Sequence, residues 1–329
     1  MEEHKISVVV PLYNEEENVI NLIDRIHSAL QDFEFKWELL LVDDGSSDAT
    51  VSKAKQAQQK YGNHVRIIEL TRNFKQTAAM QAGIDFARGD VIVTMDGDLQ
   101  NEPNDIPKLV RRLLNENLDL VAGWRKNRQD GLFLRKIPSK IANKLIAKLT
   151  GVKLRDYGCS LKAFRAKIIK KIRLYGEMHR FIPAWLATVT SPSKIAEEPT
   201  THHARTAGVS KYGISRTFRV ILDLLAVYFF MKFRDRPGHF FGSIGLFLSS
   251  IASIIFAWLL YVKIILGESI GQRPLLFLGI LGLLAGLQFI TTGVVAELLT
   301  RIYFDETRKA YNAEEESPTE NSEEKWKSK

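Results

Sequence analysis

The chain of 329 residues carries 46 Lys or Arg against 38 Asp or Glu, 45% hydrophobic residues and a single cysteine. That length holds one catalytic domain of about 200 residues plus an appendage. Cys159, alone, excludes an internal disulfide and any multi-cysteine metal site, and it fits a reducing compartment.

The opening Met1-Glu2-Glu3-His4-Lys5 leads into an apolar run of only strand length, which is not a secretory-signal pattern. The N-terminal domain is therefore expected to stay in the cytoplasm. Short apolar runs then alternate with amphipathic segments, the pattern of β-α units around a mainly parallel sheet. Strands are predicted at Ile6–Val10, Trp37–Val42, Val65–Leu70, Val91–Met95 and Leu118–Ala122. A helix is expected from Asn14 as N-cap, with Glu17 three residues on completing a capping box. A second is expected over Thr77–Arg88, stopped by Gly89, and a third after Pro103. The fold class is α/β, with a Rossmann-like sheet in a domain spanning residues 1–214.

Residues 124–173 hold sixteen Lys or Arg against two acids, Asp130 and Asp156. Such a stretch suits a nucleic acid, an anionic lipid surface or a phosphorylated substrate, and equally a solvated face. A helix over Ile137–Leu149 would place Lys140, Lys144 and Lys148 on one face, open to solvent or to anionic headgroups.

The C-terminal part is of another kind. Residues 240–262 and 274–296 contain no Asp, Glu, Lys or Arg, and each has thirteen Leu, Ile, Phe or Val. On an insertion scale this favours the membrane by about 4–8 kcal/mol per run before polar and Gly corrections. A two-helix transmembrane hairpin is expected within 237–304. The stretch 218–233 is apolar too but carries Arg219, Asp223 and Lys232, so residues 215–236 are read as an amphipathic helix lying in the interface. Lys232, Arg234 and Arg236 precede the first run, and Arg301, Arg308 and Lys309 follow the second. By the positive-inside tendency both ends face the cytoplasm at the plasma or inner membrane. Residues 305–329 are polar and Glu-rich, and are read as a disordered tail.

In an open α/β sheet, ligands bind beyond the carboxyl ends of the strands. Here those ends read Pro11-Leu12-Tyr13-Asn14-Glu15, Asp43-Asp44-Gly45-Ser46, Thr71-Arg72-Asn73 and Asp96-Gly97-Asp98. Two carboxylates on one turn can hold a hard divalent cation that also bridges two phosphates of a nucleotide. Asp43 and Asp44 can accept hydrogen bonds from a base N–H or ribose hydroxyls, while Asp48 serves as a cap for the next helix. No G-x-x-x-x-G-K-[ST] or G-x-G-x-x-G pattern occurs, which removes the main support for P-loop and dinucleotide-binding readings.

The ordered set Val10-Pro11-Leu12-Tyr13-Asn14-Glu15-Glu16, Val42-Asp43-Asp44-Gly45-Ser46-Ser47-Asp48, Arg72-Asn73-Phe74 and Met95-Asp96-Gly97-Asp98-Leu99-Gln100 resembles family 2 glycosyltransferases of the GT-A fold. Within that family it looks like the polyprenyl-phosphate glycosyltransferases, which include dolichol-phosphate mannosyltransferases and bacterial undecaprenyl-phosphate sugar transferases. The resemblance runs in order from Ile6 to about Arg308, two-span ending included. It implies that Pro11, Tyr13, Glu15, Asp43, Asp44 and Arg72 line a nucleotide-sugar pocket. Asp96, Asp98 and Gln100 would bind Mg²⁺ or Mn²⁺ and the diphosphate. Arg205-Thr206-Ala207-Gly208-Val209-Ser210-Lys211 resembles the family's R-x-x-G-x-S-K loop, making Arg205, Ser210 and Lys211 donor-phosphate partners. Arg125, Arg135 and Ser139 match positions that hold the acceptor phosphate, and Asp156 orients acceptor or sugar.

Asp156-Tyr157-Gly158-Cys159-Ser160, Asn127-Arg128-Gln129-Asp130 and Ser139-Lys140 most resemble bacterial transferases for a formylated aminoarabinose. Two positions depart from the commoner pattern: Cys159 stands where other members carry Asp, and Lys75 replaces the Gly of R-N-F-G-K.

The expected reaction is a single inverting displacement from a nucleotide sugar, UDP-linked by the resemblance, onto undecaprenyl or dolichyl phosphate. The expected partners are therefore the donor, the polyprenyl phosphate and the bilayer, with a homo-oligomer allowed by family analogy. A polysaccharide synthase would carry Gln-x-x-Arg-Trp and more spans, neither of which is found. A non-enzymatic membrane scaffold would have no need of acids after successive strands. A nucleic-acid partner is not expected, because the basic stretch lacks interleaved aromatics and the two apolar runs would go unexplained.

Overall fold

The computed structural model describes residues 4–126, 146–148, 150–203, 228–230, 232–233 and 236–307. The chain divides into two compact units, residues 1–231 and 232–329.

In the first unit β1 (Lys5–Leu12) is followed by α1 (Val19–Leu30), β2 (Lys36–Asp43), α2 (Thr50–Tyr61), β3 (Val65–Glu69), α3 (Gln76–Phe86) and β4 (Val91–Thr94). A 3-10 turn, Pro103–Asp105, leads into α4 (Ile106–Asn115) and β5 (Leu120–Arg125). Then come β6 (Lys162–Arg165), the short helices α5 (Ala166–Ile169) and α6 (Ile182–Leu186), and β7 (Ile195–Thr200).

The seven strands form one sheet in the order β3-β2-β1-β4-β6-β5-β7. Pairings are parallel except where β6 lies antiparallel to β4 and β5. The carboxyl ends of β1, β2, β4 and β5 therefore share one edge of the sheet, together with the amino end of β6. The central strands read as unbroken apolar runs because both faces are covered. From β1, Ile6, Val8 and Val10 join the core under α1 and α4, while Val9 joins the other core under α3.

The five predicted strands are present with ends shifted by one or two residues, or three at the carboxyl end of β5; β6 and β7 were not predicted. Two local expectations are corrected. Asn14 does not cap α1, which starts at Val19. It takes a left-handed φ of 53°, donates its N–H to Ser46 Oγ at 2.9 Å and accepts from Ser47 N at 2.9 Å. Its polar groups are thus spent on the loop after β2, and the Glu15 carbonyl takes the N–H of Asn18 and Val19. Helix α3 ends at Phe86, short of Gly89, because Ala87 is already extended.

The second unit contains α7 (Pro237–Ile264) and α8 (Pro274–Thr307). Both are long and apolar enough to cross a membrane, and of the most apolar eighteen-residue stretch in each only 17% and 11% is buried. A core helix of a water-soluble domain would be mostly covered, so the outward Leu246, Phe247, Ile254, Leu281, Leu284 and Leu287 suit hydrocarbon. The two helices meet through small residues: a Cβ on Gly245 would lie 2.6 Å from the Gly286 carbonyl, and one on Gly282 would lie 3.4 Å from Ala252 Cβ.

Candidate active site

The loop after β1 and the loop after β2 are tied together where they leave the sheet. Asp44 N–H donates to the Leu12 carbonyl at 2.8 Å, and Asp43 Oδ2 accepts from Ser46 N at 2.9 Å. The other Asp43 oxygen, Oδ1, is buried and has no hydrogen-bond partner among the described residues. A buried acceptor left open is costly, so this one suits a donor group brought by a ligand.

Asp44 is buried as well, and that burial pushes its pKa up; two backbone N–H groups, from Phe74 and Lys75, act against the shift. The Phe74 bond is 2.7 Å to Oδ1. The loop after β3 is thereby draped over the turn after β2. Gly45, with φ +70°, makes the approach possible, since a Cβ there would sit 2.6 Å from the Arg72 carbonyl carbon. Arg72 lies over the Phe74 ring at 4.7 Å, and both are exposed. Tyr13 is exposed, Pro11 half-buried, and Glu15 Oε2 accepts from Asn18 Nδ2 at 2.6 Å.

Asp96 and Asp98 occupy the turn after β4. Asp96 N–H donates to Asn101 Oδ1 at 3.2 Å, and the same oxygen accepts from Ser160 Oγ at 2.8 Å. Leu99 takes a left-handed φ of 60°, and Gln100 N–H donates to Asp98 Oδ1 at 3.2 Å. Burial, and next the charge of Asp98, push the pKa of Asp96 up to about 6. Gln76 Nε2 reaches it from the start of α3, 2.8 Å from Oδ1.

Among the described residues no cluster of three or more His, Cys, Asp or Glu could hold a metal ion. What the turn offers is a pair of carboxylates whose mutual repulsion a cation would relieve. That donor set fits Mg²⁺ or Mn²⁺, which take oxygen ligands and commonly leave most positions to water and nucleotide phosphates.

Across the sheet, β5 ends in Arg125. Its Nε and Nη2 grip Asp156 at 2.7 and 3.0 Å, a two-pronged pair with both side chains mostly buried. Burial alone would lower the Arg125 pKa, and the Asp156 hydrogen bonds raise it above the ordinary value instead. Burial likewise works to raise the Asp156 pKa, and Arg125 brings it below the usual range. The pair is close enough to Asp96 for the Arg125 charge to favour the ionised Asp96 carboxylate.

Three contributors were missed from sequence. Gln76 and Asn101 carry no motif; only their neighbours do. Lys162, at the start of β6, is 2% exposed and donates to the Cys159 carbonyl. Burial pushes its pKa down, against the pull of nearby Asp156 and Asp96. A lone lysine inside Leu161-Lys162-Ala163-Phe164 was the available signal. Cys159 itself is buried and its pKa is raised by that burial. Arg135, Ser139, Arg205, Ser210 and Lys211 lie outside the described residues, as do Lys140, Lys144 and most of the stretch 218–233. The chain just before Arg205 is described: His203 N–H donates to the Gln100 carbonyl at 2.9 Å.

Residues 7–173 match the family model described as glycosyl transferase family 2. The chain belongs to that family. As a family 2 glycosyltransferase it is 59% identical over 300 residues to dodecaprenyl-phosphate galacturonate synthase of Rhizobium johnstonii, covering 91% of this chain and 89% of the relative. It is 37% identical over 302 residues to undecaprenyl-phosphate 4-deoxy-4-formamido-L-arabinose transferase of Salmonella choleraesuis, covering 92% and 90%. Among solved structures, glucosyl-3-phosphoglycerate synthase from Mycobacterium tuberculosis with Mn²⁺, UDP and glucosyl-3-phosphoglycerate matches with a TM-score of 0.54 at 20% identity, over 69% of this chain and 80% of that one. Mannosyl-3-phosphoglycerate synthase from Rubrobacter xylanophilus matches with a TM-score of 0.53 at 15% identity, over 69% and 74%. These likenesses carry the fold, and the glycosyltransferase has the GT-A architecture that its motifs implied.

Proposed function

We propose that this glycosyltransferase moves a sugar from a nucleotide-sugar donor, UDP-linked, onto a polyprenyl phosphate at the cytoplasmic face of a membrane. The carrying observation is one sheet edge that holds the Asp96–Asp98 turn and the Arg125–Asp156 pair, in a chain with two helices of membrane-crossing length. Relatives at 59% and 37% identity are named for transfer to dodecaprenyl and undecaprenyl phosphate.

In this reading the open Asp43 Oδ1 takes a base or ribose donor, with Pro11, Tyr13, Glu15, Asp44 and Arg72 around the nucleoside. Asp96, Asp98 and Gln100 would hold Mg²⁺ or Mn²⁺. When bound, the cation supplies charge neutralisation for the departing diphosphate. Arg205, Ser210 and Lys211 serve the same phosphates; His203, two residues before Arg205 in the chain, donates its N–H to the Gln100 carbonyl.

Arg125, Arg135 and Ser139 hold the lipid phosphate. Asp156 fixes the Arg125 fork so that its remaining edge is presented in one orientation. A phosphate oxygen attacks the anomeric carbon, the bond from that carbon to the nucleoside diphosphate breaks, and the configuration inverts. A phosphate monoester is mostly dianionic at neutral pH, so no strong base is required. Positioning and charge stabilisation do the rest. The domain assignment follows: catalysis in residues 1–214, an interfacial helix over 215–236, the hairpin in 237–304 and a polar tail over 305–329.

The test is direct. Purified protein in detergent or vesicles is incubated with Mg²⁺ or Mn²⁺, undecaprenyl phosphate and a panel of nucleotide sugars, and the lipid product is identified by mass. A polyprenyl-phosphate sugar is expected, and Asp98→Ala should abolish it. Wild-type turnover in that variant would remove the cation from the reading.

A further inference from the structure

Lys75 holds a backbone conformation that suits glycine. Its φ of 76° and ψ of 161° fall where a Cβ is strained and glycine sits freely. The surroundings impose this from both sides. On one side the N–H groups of Phe74 and Lys75 bond the Asp44 carboxylate, the first at 2.7 Å to Oδ1. On the other, Gln76 Nε2 donates to Asp96 Oδ1 at 2.8 Å. The residue thus stands in the chain between the acid assigned to the nucleoside and the acid assigned to the diphosphate. Its side chain is exposed, and its ammonium has no carboxylate partner among the described residues.

Strain of this kind at a donor site points to a role in function, and for an unpartnered ammonium that role is an anion, of which a nucleotide sugar can bring two kinds. The diphosphate is common to all such donors, and in the proposed reading the Asp96–Asp98 turn already serves it. The family's usual glycine at this position is enough for it. A carboxylate, by contrast, is present only where the sugar is a uronic acid. The extra charge therefore belongs with the sugar. We propose that Lys75 is a specificity-determining residue whose ammonium pairs with the carboxylate of a uronic-acid donor. This rests on the proposed glycosyl transfer and names its sugar class. The 59% identical relative is named for galacturonate, a sugar of that class.

The experiment compares the wild-type chain with Lys75→Gly, which relaxes the backbone, and Lys75→Met, which keeps the strain and removes the charge. Each is assayed for transfer to undecaprenyl phosphate from UDP-galacturonate and from UDP-galactose, and titrated by calorimetry with UDP and with UDP-galacturonate. The wild type should prefer the uronate donor, and both substitutions should cut the ratio of the two kcat/KM values about 10- to 100-fold, the size of one charge-assisted hydrogen bond. Affinity for UDP should change far less than affinity for UDP-galacturonate. Lys75→Gly should melt at or above the wild-type temperature, so misfolding would not account for the change.

An unchanged ratio, or a wild-type preference for galactose, would overturn the assignment. So would equal weakening of UDP and UDP-galacturonate, which would give Lys75 to the diphosphate. The two readings fail separately. Lys75-dependent binding of UDP-galacturonate without transfer to lipid would sink the proposed acceptor and keep the uronate contact. Transfer to lipid with a donor choice indifferent to Lys75 would do the reverse.

Discussion

Two acids, buried Glu38 and half-buried Asp96, sit at opposite edges of the same sheet and behave in opposite ways. Glu38, near the start of β2, is 3% exposed. It accepts from Ser7 Oγ at 2.7 Å, Arg66 Nη1 at 3.0 Å and Arg88 N at 2.8 Å. Burial alone would raise its pKa, but those donors bring it below the usual range. Asp96, at the other edge, is pushed up to about 6 by burial and by Asp98. Where the fold supplies the counter-groups, a buried acid holds strands together. Where a second acid outweighs the donors that reach it, as Asp98 does beside Asp96, the balancing charge is left for a ligand to bring.

The sharpest way to break this contrast is to neutralise each acid. Asp96→Asn should reduce sugar transfer by about 10²–10³-fold, in the range seen when one stabilising group at a reacting centre is lost. Its melting temperature should hold or rise, because a like-charge pair has been relieved. A clear fall in melting temperature would put Asp96 in the same class as Glu38. Glu38→Ala should do the converse. Removing the carboxylate strands Arg66 and the Ser7 hydroxyl, a loss of about 3–5 kcal/mol by analogy with broken buried ion pairs, read by denaturant or thermal unfolding. The kcat/KM of the folded enzyme should stay close to wild type, and a large activity loss at full stability would refute the division.

Arg125→Ala tests the basic side. It should raise the KM for polyprenyl phosphate about tenfold or more, the size of one charged hydrogen bond, while leaving the donor KM nearer wild type. Unchanged acceptor kinetics would contradict its role.

The smallest effect near neutral pH concerns protonation. His179 is held neutral, with a pKa lowered to about 3 by burial and then by Arg180 and Lys162, and its Nδ1 lies 2.6 Å from Thr77 Oγ1. A folded pKa below the unfolded value means that the unfolded chain takes up the proton first. Stability from this group is therefore complete above about pH 6.5 and declines as pH falls toward 3, by up to about 1.4 kcal/mol per pH unit. His179→Gln should flatten that part of a pH–stability curve, and an unchanged slope would show that other groups carry it.

The part of the fold legible in sequence is the part made of local signals. The first five strands announced themselves as apolar runs followed by small or acidic residues. By contrast, β6 has four residues with Lys162 among them, and β7 reads as polar through Glu197, Glu198 and Pro199. Those acids are satisfied at a distance: Glu198 meets Arg112 Nη1 and also Lys108 Nζ at 2.6 Å. Asn14 misled for the same reason, since its cap-like sequence context was overridden by the loop after β2. Lys75 was visible as a departure from a motif, but its left-handed φ came only with the structure.

Sequence alone determined which residue types stand at the strand ends, that the chain is a glycosyltransferase of the GT-A kind, and that two segments are too apolar for water. The first and last follow from composition and spacing over short windows, where hydrophobic transfer and turn chemistry act residue by residue; the second follows from the likeness of the ordered motifs to that family. Tertiary structure decided which acids are compensated and which are left open, that Arg125 is braced by Asp156, and that Lys75 stands between the two acid turns. Such outcomes depend on distances between groups far apart in the chain, and electrostatic and hydrogen-bond energies are set by those distances rather than by sequence neighbours.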